Sequence, residues 1–327
     1  MLLSSLSNYC SVDIGLELVQ QCRLFHDARP IPKNPMLKKA VSIIFVCVTC
    51  FCASAHAVPL GSLSVLVVED GTGKVLLEKN PNAVVPIASL SKLMTAMVVL
   101  DSKPDMNAPI SIDKIDVDHL KHSKSRVPVG ATISRREVLQ LALMSSDNRA
   151  AASLARTYSG GMAAFGLAVK AKIKALGMSQ TVIEEPTGLS PNNRSTAADL
   201  LKMATAAAQY PDIRRITTDS KDTIRINGHE VEYHNTNRFV GAKGWNIALS
   251  KTGYTEEAGR CLIMRIKSAG TSATLVLLNA KANSARALDA LNIRRFIAGG
   301  EDQPQAHAAI AHPERHLANL TRHHHRA

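Results

Sequence analysis

The chain has 327 residues, with 39 Lys and Arg against 27 Asp and Glu, a net charge of +12, and 46% of it is hydrophobic. That apolar share excludes a disordered chain and suffices for a sizeable buried core. Aromatic residues make up only 4% and no base-stacking or groove-reading motif occurs, so the basic balance points away from nucleic acid and toward anionic polymers or membrane surfaces.

Residues 1–35 carry no recognisable pattern. Met36-Leu37-Lys38-Lys39 then puts two positive charges ahead of an apolar run from Ala40 to Ala53, and Ala55-His56-Ala57 has the small-x-small form of a signal-peptidase site. The reading is a secretory signal over residues 36–57, cleaved before Val58, with translation beginning at Met36. The run falls short of the roughly 20 residues that a membrane-spanning helix needs; an uncleaved anchor is the alternative. Five of the six cysteines lie before residue 58, so the exported part keeps Cys261 alone and has no intrachain disulfide. Cys261 stands in the apolar run Cys261-Leu262-Ile263-Met264, which predicts a buried, inert thiol. The leader holds five Lys and Arg and three Asp and Glu, leaving a net charge of +10 on the remainder.

Ser62–Glu69 and Lys74–Lys79 are apolar, β-branched runs on either side of Asp70-Gly71-Thr72-Gly73, the pattern of a hairpin. Ser134-Arg135-Arg136-Glu137 is a capping box that opens an amphipathic helix to Met144. Alanine-rich helices follow at Arg149–Tyr158, Met162–Leu176 and Thr196–Tyr210. Strands return at Asn246–Ser250, Arg260–Lys267 and Ala273–Asn279, and a last helix covers about Ser284–Ile297. The expected fold class is α/β: an antiparallel sheet built from both chain ends, flanked by helices, with a helical lobe inserted between. One domain over residues 58–300 accounts for all of this. Residues 301–327 form a polar tail holding six of the twelve histidines, read as a solvated end rather than a metal site.

Three short motifs carry chemistry. Ser89-Leu90-Ser91-Lys92 opens a helix whose apolar residues Leu90, Leu93, Met94, Met97 and Val98 recur at helical spacing. The Ser89 hydroxyl then faces the positive end of the helix dipole, and the Lys92 amine lies one turn on along the same face. A lysine accepts a proton only when neutral; burial and a second cation both favour that form, and Lys251 is the candidate cation. A second Ser-x-x-Lys, Ser111 to Lys114, is ringed by Asp113, Asp116 and Asp118 and reads as surface.

Ser146-Asp147-Asn148 falls where one helix ends and the next begins. Its hydroxyl suits proton relay to a leaving group and its amide suits a substrate carbonyl; an ordinary helix cap is the plainer alternative. Lys251-Thr252-Gly253 is read as the end of a strand. Its cation and hydroxyl suit a carboxylate or carbonyl, and Gly253 lets a substrate backbone lie against the sheet edge. Each motif alone is weak, but the three arrive in order, each in fitting local context.

With Pro186-Thr187-Gly188-Leu189-Ser190-Pro191 added, these motifs resemble the low-molecular-mass penicillin-binding proteins, of the D-alanyl-D-alanine endopeptidase (penicillin-binding protein 7) type, over about residues 60–298. The resemblance implies the serine β-lactamase and penicillin-binding transpeptidase-like fold and a serine-type D-Ala-D-Ala endopeptidase or carboxypeptidase. It implies Ser89 as acylated nucleophile, Lys92 as general base and Ser146 in proton transfer. Asn148, Lys251, Thr252, Gly253 and Tyr254 would bind substrate, with the amides of Ser89 and Tyr254 as oxyanion hole. The implied partners are peptidoglycan stem peptides and, as covalent inhibitors, β-lactams; weak peripheral membrane association would follow from the basic surface. No metal or organic cofactor is implied, and the implied location is the periplasm.

Related carboxypeptidases carry a further β-domain and an amphipathic anchor, for which the 74 residues after Gly253 leave no room, so the expectation is a soluble endopeptidase. Two rivals remain open. A class A-like serine β-lactamase shares the three motifs and needs a water-activating carboxylate, for which Glu184 and Glu185 are placed. A non-catalytic wall-binding protein would use the basic surface alone.

Overall fold

The computed structural model describes residues 58–299; the signal-like leader and the His-rich tail lie outside them. In chain order come β1 (Ser62–Glu69), β2 (Val75–Lys79), β3 (Val85–Pro86), helix α1 (Ser91–Asp101), β4 (Pro109–Ser111) and β5 (Thr132–Ser134). Then come α2 (Arg135–Leu143), α3 (Asn148–Arg156), α4 (Gly161–Ala175), β6 (Arg194–Ser195), α5 (Ala197–Ala207) and α6 (Pro211–Thr218). The chain finishes with β7 (Lys221–Ile226), β8 (His229–His234), β9 (Asn246–Thr255), β10 (Gly259–Ser268), β11 (Thr271–Ala280) and α7 (Asn283–Ile297).

Five strands form one antiparallel sheet in the order β2-β1-β11-β10-β9, so the first and last strands of the domain are neighbours. Both faces of this sheet are buried, which explains why its strands read as continuous apolar runs. On β1, Leu66 and Val68 enter the core shared with the helical lobe, while Val65 and Val67 pack on the opposite face with Ala290 and Ile293 of α7. Strand β11 divides the same way, with Val276 and Leu278 on one side and Leu275 and Leu277 on the other. This is the two-residue period of a strand applied to a three-layer sandwich.

The buried Asp289 of α7 fastens the start of β1. Its carboxylate accepts from the amides of Gly61 and Ser62, each at 2.8 Å, and from the Ser62 hydroxyl at 2.6 Å.

The capping box appears as expected. The Ser134 hydroxyl accepts from the Glu137 amide at 3.3 Å, and Glu137 Oε2 accepts from the Ser134 amide at 2.8 Å. Two expectations need correction, and one element adds to them. The helix expected over Thr196–Tyr210 ends at Ala207, and Pro211 starts a separate α6, since proline suits the first helical turn and not the interior. The hairpin of β7 and β8 was not anticipated; its charged residues lie outward and only Ile224, Ile226 and Tyr233 are buried. The strand expected to stop at Ser250 runs on to Thr255, so Lys251-Thr252-Gly253 lies within β9 and does not end it.

Candidate active site

Where the helical lobe meets the β9 edge, a cleft of about 420 Å³ is lined by Ser89, Ser146, Asn148, Thr252, Gly253 and Tyr254, together with Thr236 and three arginines. Lys92 and Lys251, each only 1% exposed, lie behind the lining and bond to its serines Ser89 and Ser146. All eight residues singled out from the sequence therefore converge, although they come from three separate stretches of chain.

Ser89 sits in a single 3-10 turn, Ala88–Leu90, that leads directly into α1. Two tight approaches hold this turn. Gly253 of β9 packs so closely that a Cβ there would lie 3.0 Å from the Ile87 carbonyl and 3.1 Å from the Ser89 nitrogen. Gly188, with φ of +85°, comes closer still: a Cβ would meet the Ala88 carbonyl oxygen at 2.0 Å. The space where a Gly253 side chain would stand is thus taken by the protein's own backbone, while the residue itself still lines the cleft. Its lack of a side chain serves to bring the Ser89 amide against β9 next to Tyr254.

The Lys92 amine meets three oxygens: Ser89 Oγ at 2.8 Å, Asn148 Oδ1 at 2.6 Å and the Thr187 carbonyl at 2.6 Å. A protonated amine can donate to all three. A neutral amine keeps two N–H bonds and one lone pair. The amide oxygen and the carbonyl can only accept, so they take both N–H bonds and leave the lone pair for the one partner with a proton to give, the Ser89 hydroxyl. Burial lowers the Lys92 pKa to about 8, against the opposing charges of Glu185, Asp147 and Asp118. Of the two influences expected to lower it, burial is the one that acts; the charges that bear on Lys92 are carboxylates and oppose the lowering, and Lys251 is not among the causes.

Lys251 donates to Ser146 Oγ at 2.8 Å and to the Thr252 carbonyl at 2.9 Å. Its pKa lies well below that of a free lysine, first through burial, then through the positive charges of Lys92 and Arg286. Ser146 reaches this position with a φ of +60°, a left-handed conformation that costs a non-glycine residue about 1 kcal/mol or more. The strain turns its hydroxyl toward Lys251 in the junction between α2 and α3, which Asp147 caps by accepting from the Ala150 amide at 2.9 Å.

Asn148 is engaged at both ends of its amide, since Nδ2 donates to Ser123 Oγ at 2.8 Å while Oδ1 holds Lys92. Here it orients the amine while still lining the cleft. The Thr252 hydroxyl donates to Thr236 Oγ1 at 2.7 Å. Tyr254 is half exposed, with the Arg260 guanidinium 3.4 Å from its ring centroid.

Sequence reading missed Ser123, Thr187, Thr236, Arg238, Arg260 and Arg286. The three arginines line one end of the cleft without a carboxylate partner among the described residues. Burial and the charges of Arg260 and Arg238 hold the Arg286 guanidinium below its ordinary pKa. The one usable signal was Arg286 three residues into the last helix, a position that means nothing until α7 is placed beside β10.

Neither glutamate weighed for water activation is free. The Glu185 oxygens accept from its own loop, and Glu184 accepts from the Ser190 hydroxyl at 3.2 Å. Cys261 is fully buried, its thiol pushed up to about 11 by that burial, in keeping with an inert role. Among the described residues no cluster of His, Cys, Asp and Glu could hold a metal, and no helix is long and apolar enough to cross a membrane.

The sequence profile of a family described as D-alanyl-D-alanine carboxypeptidase, peptidase S11, matches residues 52–282. A D-alanyl-D-alanine endopeptidase of Pseudomonas aeruginosa is 47% identical over 244 residues, covering 74% of this chain and 79% of that protein. The D-alanyl-D-alanine endopeptidase of Escherichia coli is 40% identical over 274 residues, covering 83% and 88%. The crystal structure of the DD-transpeptidase of Streptomyces K15 superposes with a TM-score of 0.67 at 24% identity, over 73% of this chain and 97% of that one, a likeness of fold.

Proposed function

The chain belongs to the peptidase S11 family of D-alanyl-D-alanine carboxypeptidases, and on that footing we propose that it is an endopeptidase cutting D-alanyl cross-links between peptidoglycan stem peptides through an acyl-serine intermediate. The observation that carries this reading is the Lys92 amine, buried and 2.8 Å from the Ser89 hydroxyl, with its other two contacts to oxygens that cannot donate. Endopeptidase is preferred over carboxypeptidase because the relatives at 47% and 40% identity bear that name.

In this reading Lys92 takes the Ser89 proton as the oxygen attacks the D-alanyl carbonyl. The amides of Ser89 and Tyr254 receive the developing oxyanion. Ser146, held by Lys251, hands a proton to the departing amine, and Lys251, Thr252 and the arginine end of the cleft hold the carboxylate of the leaving half. Asn148 keeps the base in place. Water then hydrolyses the acyl ester. Since Glu184 and Glu185 are already bonded within their loop, a penicilloyl ester should persist, which makes β-lactams inhibitors. The protein is exported by the signal at residues 36–57 to the periplasm, the catalytic domain runs from 58 to 300, and its basic surface draws it weakly to anionic wall or membrane surfaces.

The test is incubation of purified protein with cross-linked and uncross-linked muropeptides, with products identified by mass. Release of monomers from dimers, with little loss of terminal D-alanine, is expected. Removal of terminal D-alanine alone would make it a carboxypeptidase. A fluorescent penicillin bound stably separates it from a β-lactamase, which would turn the probe over, and from a wall-binding protein, which would not label.

A further inference from the structure

Glu185 occupies the interval where a class A β-lactamase keeps its water-activating glutamate, but five donors from its own loop converge on its two oxygens. Oε2 accepts from the Thr187 amide at 2.7 Å and the Thr187 hydroxyl at 2.6 Å. Oε1 accepts from the Gly188 amide at 2.6 Å, from Asn193 Nδ2 at 3.1 Å and from the Ser190 amide at 3.3 Å. The fully buried Asn193 ties the same loop to α1, its Nδ2 donating also to Ser91 Oγ at 3.0 Å. The loop from 184 to 193 is therefore wound around one carboxylate, and what it presents to the site is the Thr187 carbonyl, 2.6 Å from Lys92.

We propose that Glu185 is a positioning residue for acylation, winding this loop so that the Thr187 carbonyl, together with the Asn148 amide, fixes the Lys92 amine on the Ser89 hydroxyl. The proposal rests on Lys92 being the base. A neutral amine aims its lone pair at Ser89 only while both of its N–H bonds are engaged elsewhere. Asn148 takes one from α3; the Glu185 loop takes the other. Without the carboxylate, the Thr187 and Gly188 amides lose their acceptor and the carbonyl between them is released, so the amine turns freely.

Glu185 also acts through charge. After burial, which lowers the Lys92 pKa, it is the strongest opposing influence, ahead of Asp147 at the start of α3 and Asp118 in the loop over it. Lys251 on β9 is the neighbouring cation, itself affected by the Lys92 charge. Glu185 thus helps set the pH at which the base becomes available as well as where it points.

The two roles separate by substitution. Glu185→Gln removes the charge and keeps the length; Glu185→Asp keeps the charge and shortens the reach. Acylation by fluorescent penicillin is followed from pH 5.5 to 9.5, with thermal unfolding confirming that each variant is folded. For Glu185→Gln the acid limb moves to lower pH by roughly half a unit, and the plateau rate falls about tenfold as the amine loses its orientation. For Glu185→Asp the plateau falls by a similar factor and the limb stays where the wild type has it. A folded Glu185→Gln with an unmoved limb, or with a plateau within about twofold of wild type, overturns the proposal. Should Glu185→Gln not fold, Glu185→Asp decides, and a plateau within about twofold of wild type overturns it. Ser89→Ala is run alongside: a blank there with unaltered Glu185 variants sinks this role alone, whereas labelling there sinks the reading of the whole site.

Discussion

Asn148 accepts a hydrogen bond from Lys92 at 2.6 Å across 56 residues of sequence, joining the start of α3 to the first turn of α1. The contact makes the asparagine of Ser146-Asp147-Asn148 a holder of the base. Asn148→Ala should leave β-lactam binding possible but lower the acylation rate by about 10- to 100-fold, because one N–H of the amine loses its acceptor. A stopped-flow acylation rate checks this; a rate equal to wild type would return Asn148 to a substrate-only role.

Ser89→Ala should abolish covalent labelling by penicillin while changing stability by no more than about 0.5 kcal/mol, since the side chain is partly exposed and only its hydroxyl is lost. Labelling that survives in this variant would refute Ser89 as nucleophile. Lys92→Arg should be nearly as damaging, about 10²-fold or more in acylation, because a guanidinium stays protonated and cannot act as a base. Near-normal acylation there would remove Lys92 from the mechanism.

The pH dependence follows from burial. A lysine whose pKa is lowered to about 8 becomes neutral at lower pH than a free one at 10.5. The acylation rate should therefore climb about tenfold per unit below pH 7, bend near 8 and level off above it, with about a tenth of the protein active-form at pH 7. A rise that continues past pH 9.5 would mean that the base is an ordinary, solvated amine.

Gly188→Ala tests the close approach to the Ser89 turn. The added methyl would collide with the Ala88 carbonyl at 2.0 Å and would also strain a φ of +85°. The expected cost is about 2–4 kcal/mol, seen as a thermal midpoint lower by roughly 5 °C or more, together with slower acylation. An unchanged midpoint would show that the loop can retreat without consequence.

Much of this was legible in the sequence, and the divide has a physical basis. The strands β1 and β11 were visible because both of their faces are buried, and α2 because Ser134 and Glu137 close a local capping box. Ser89 and Lys92 could be paired because helix geometry alone brings residues three apart onto one face. What escaped depends on distant chain. Thr187 and Ser123 matter only once their loops fold against Lys92 and Asn148, and the close packing of Gly253 on the Ile87 carbonyl shows only in the fold. The hairpin of β7 and β8 escaped because most of its residues face solvent and are polar or charged, so few apolar residues mark its alternation. Burial was foreseen as a cause of the Lys92 shift, but the added influence of a neighbouring cation was not found, since sequence reveals which charges exist but not which of them face the amine.

Asp289→Ala offers a test far from the cleft. It would leave the Gly61 and Ser62 amides and the buried Ser62 hydroxyl without their acceptor. A loss of about 3 kcal/mol is expected in denaturant unfolding, with the acylation rate of the folded fraction unchanged. A stability equal to wild type would mean that water replaces the carboxylate.

The adjacency of β1 and β11 also dictates when the enzyme can first work. Ser89 and Lys92 emerge early, but the wall that presses on them is β9, and β9 joins the rest of the sheet only through β10 and β11. A nascent chain therefore carries its nucleophile without the surface that arms it. The site is complete only once the C-terminal strands are in place, whatever the state of the helical lobe.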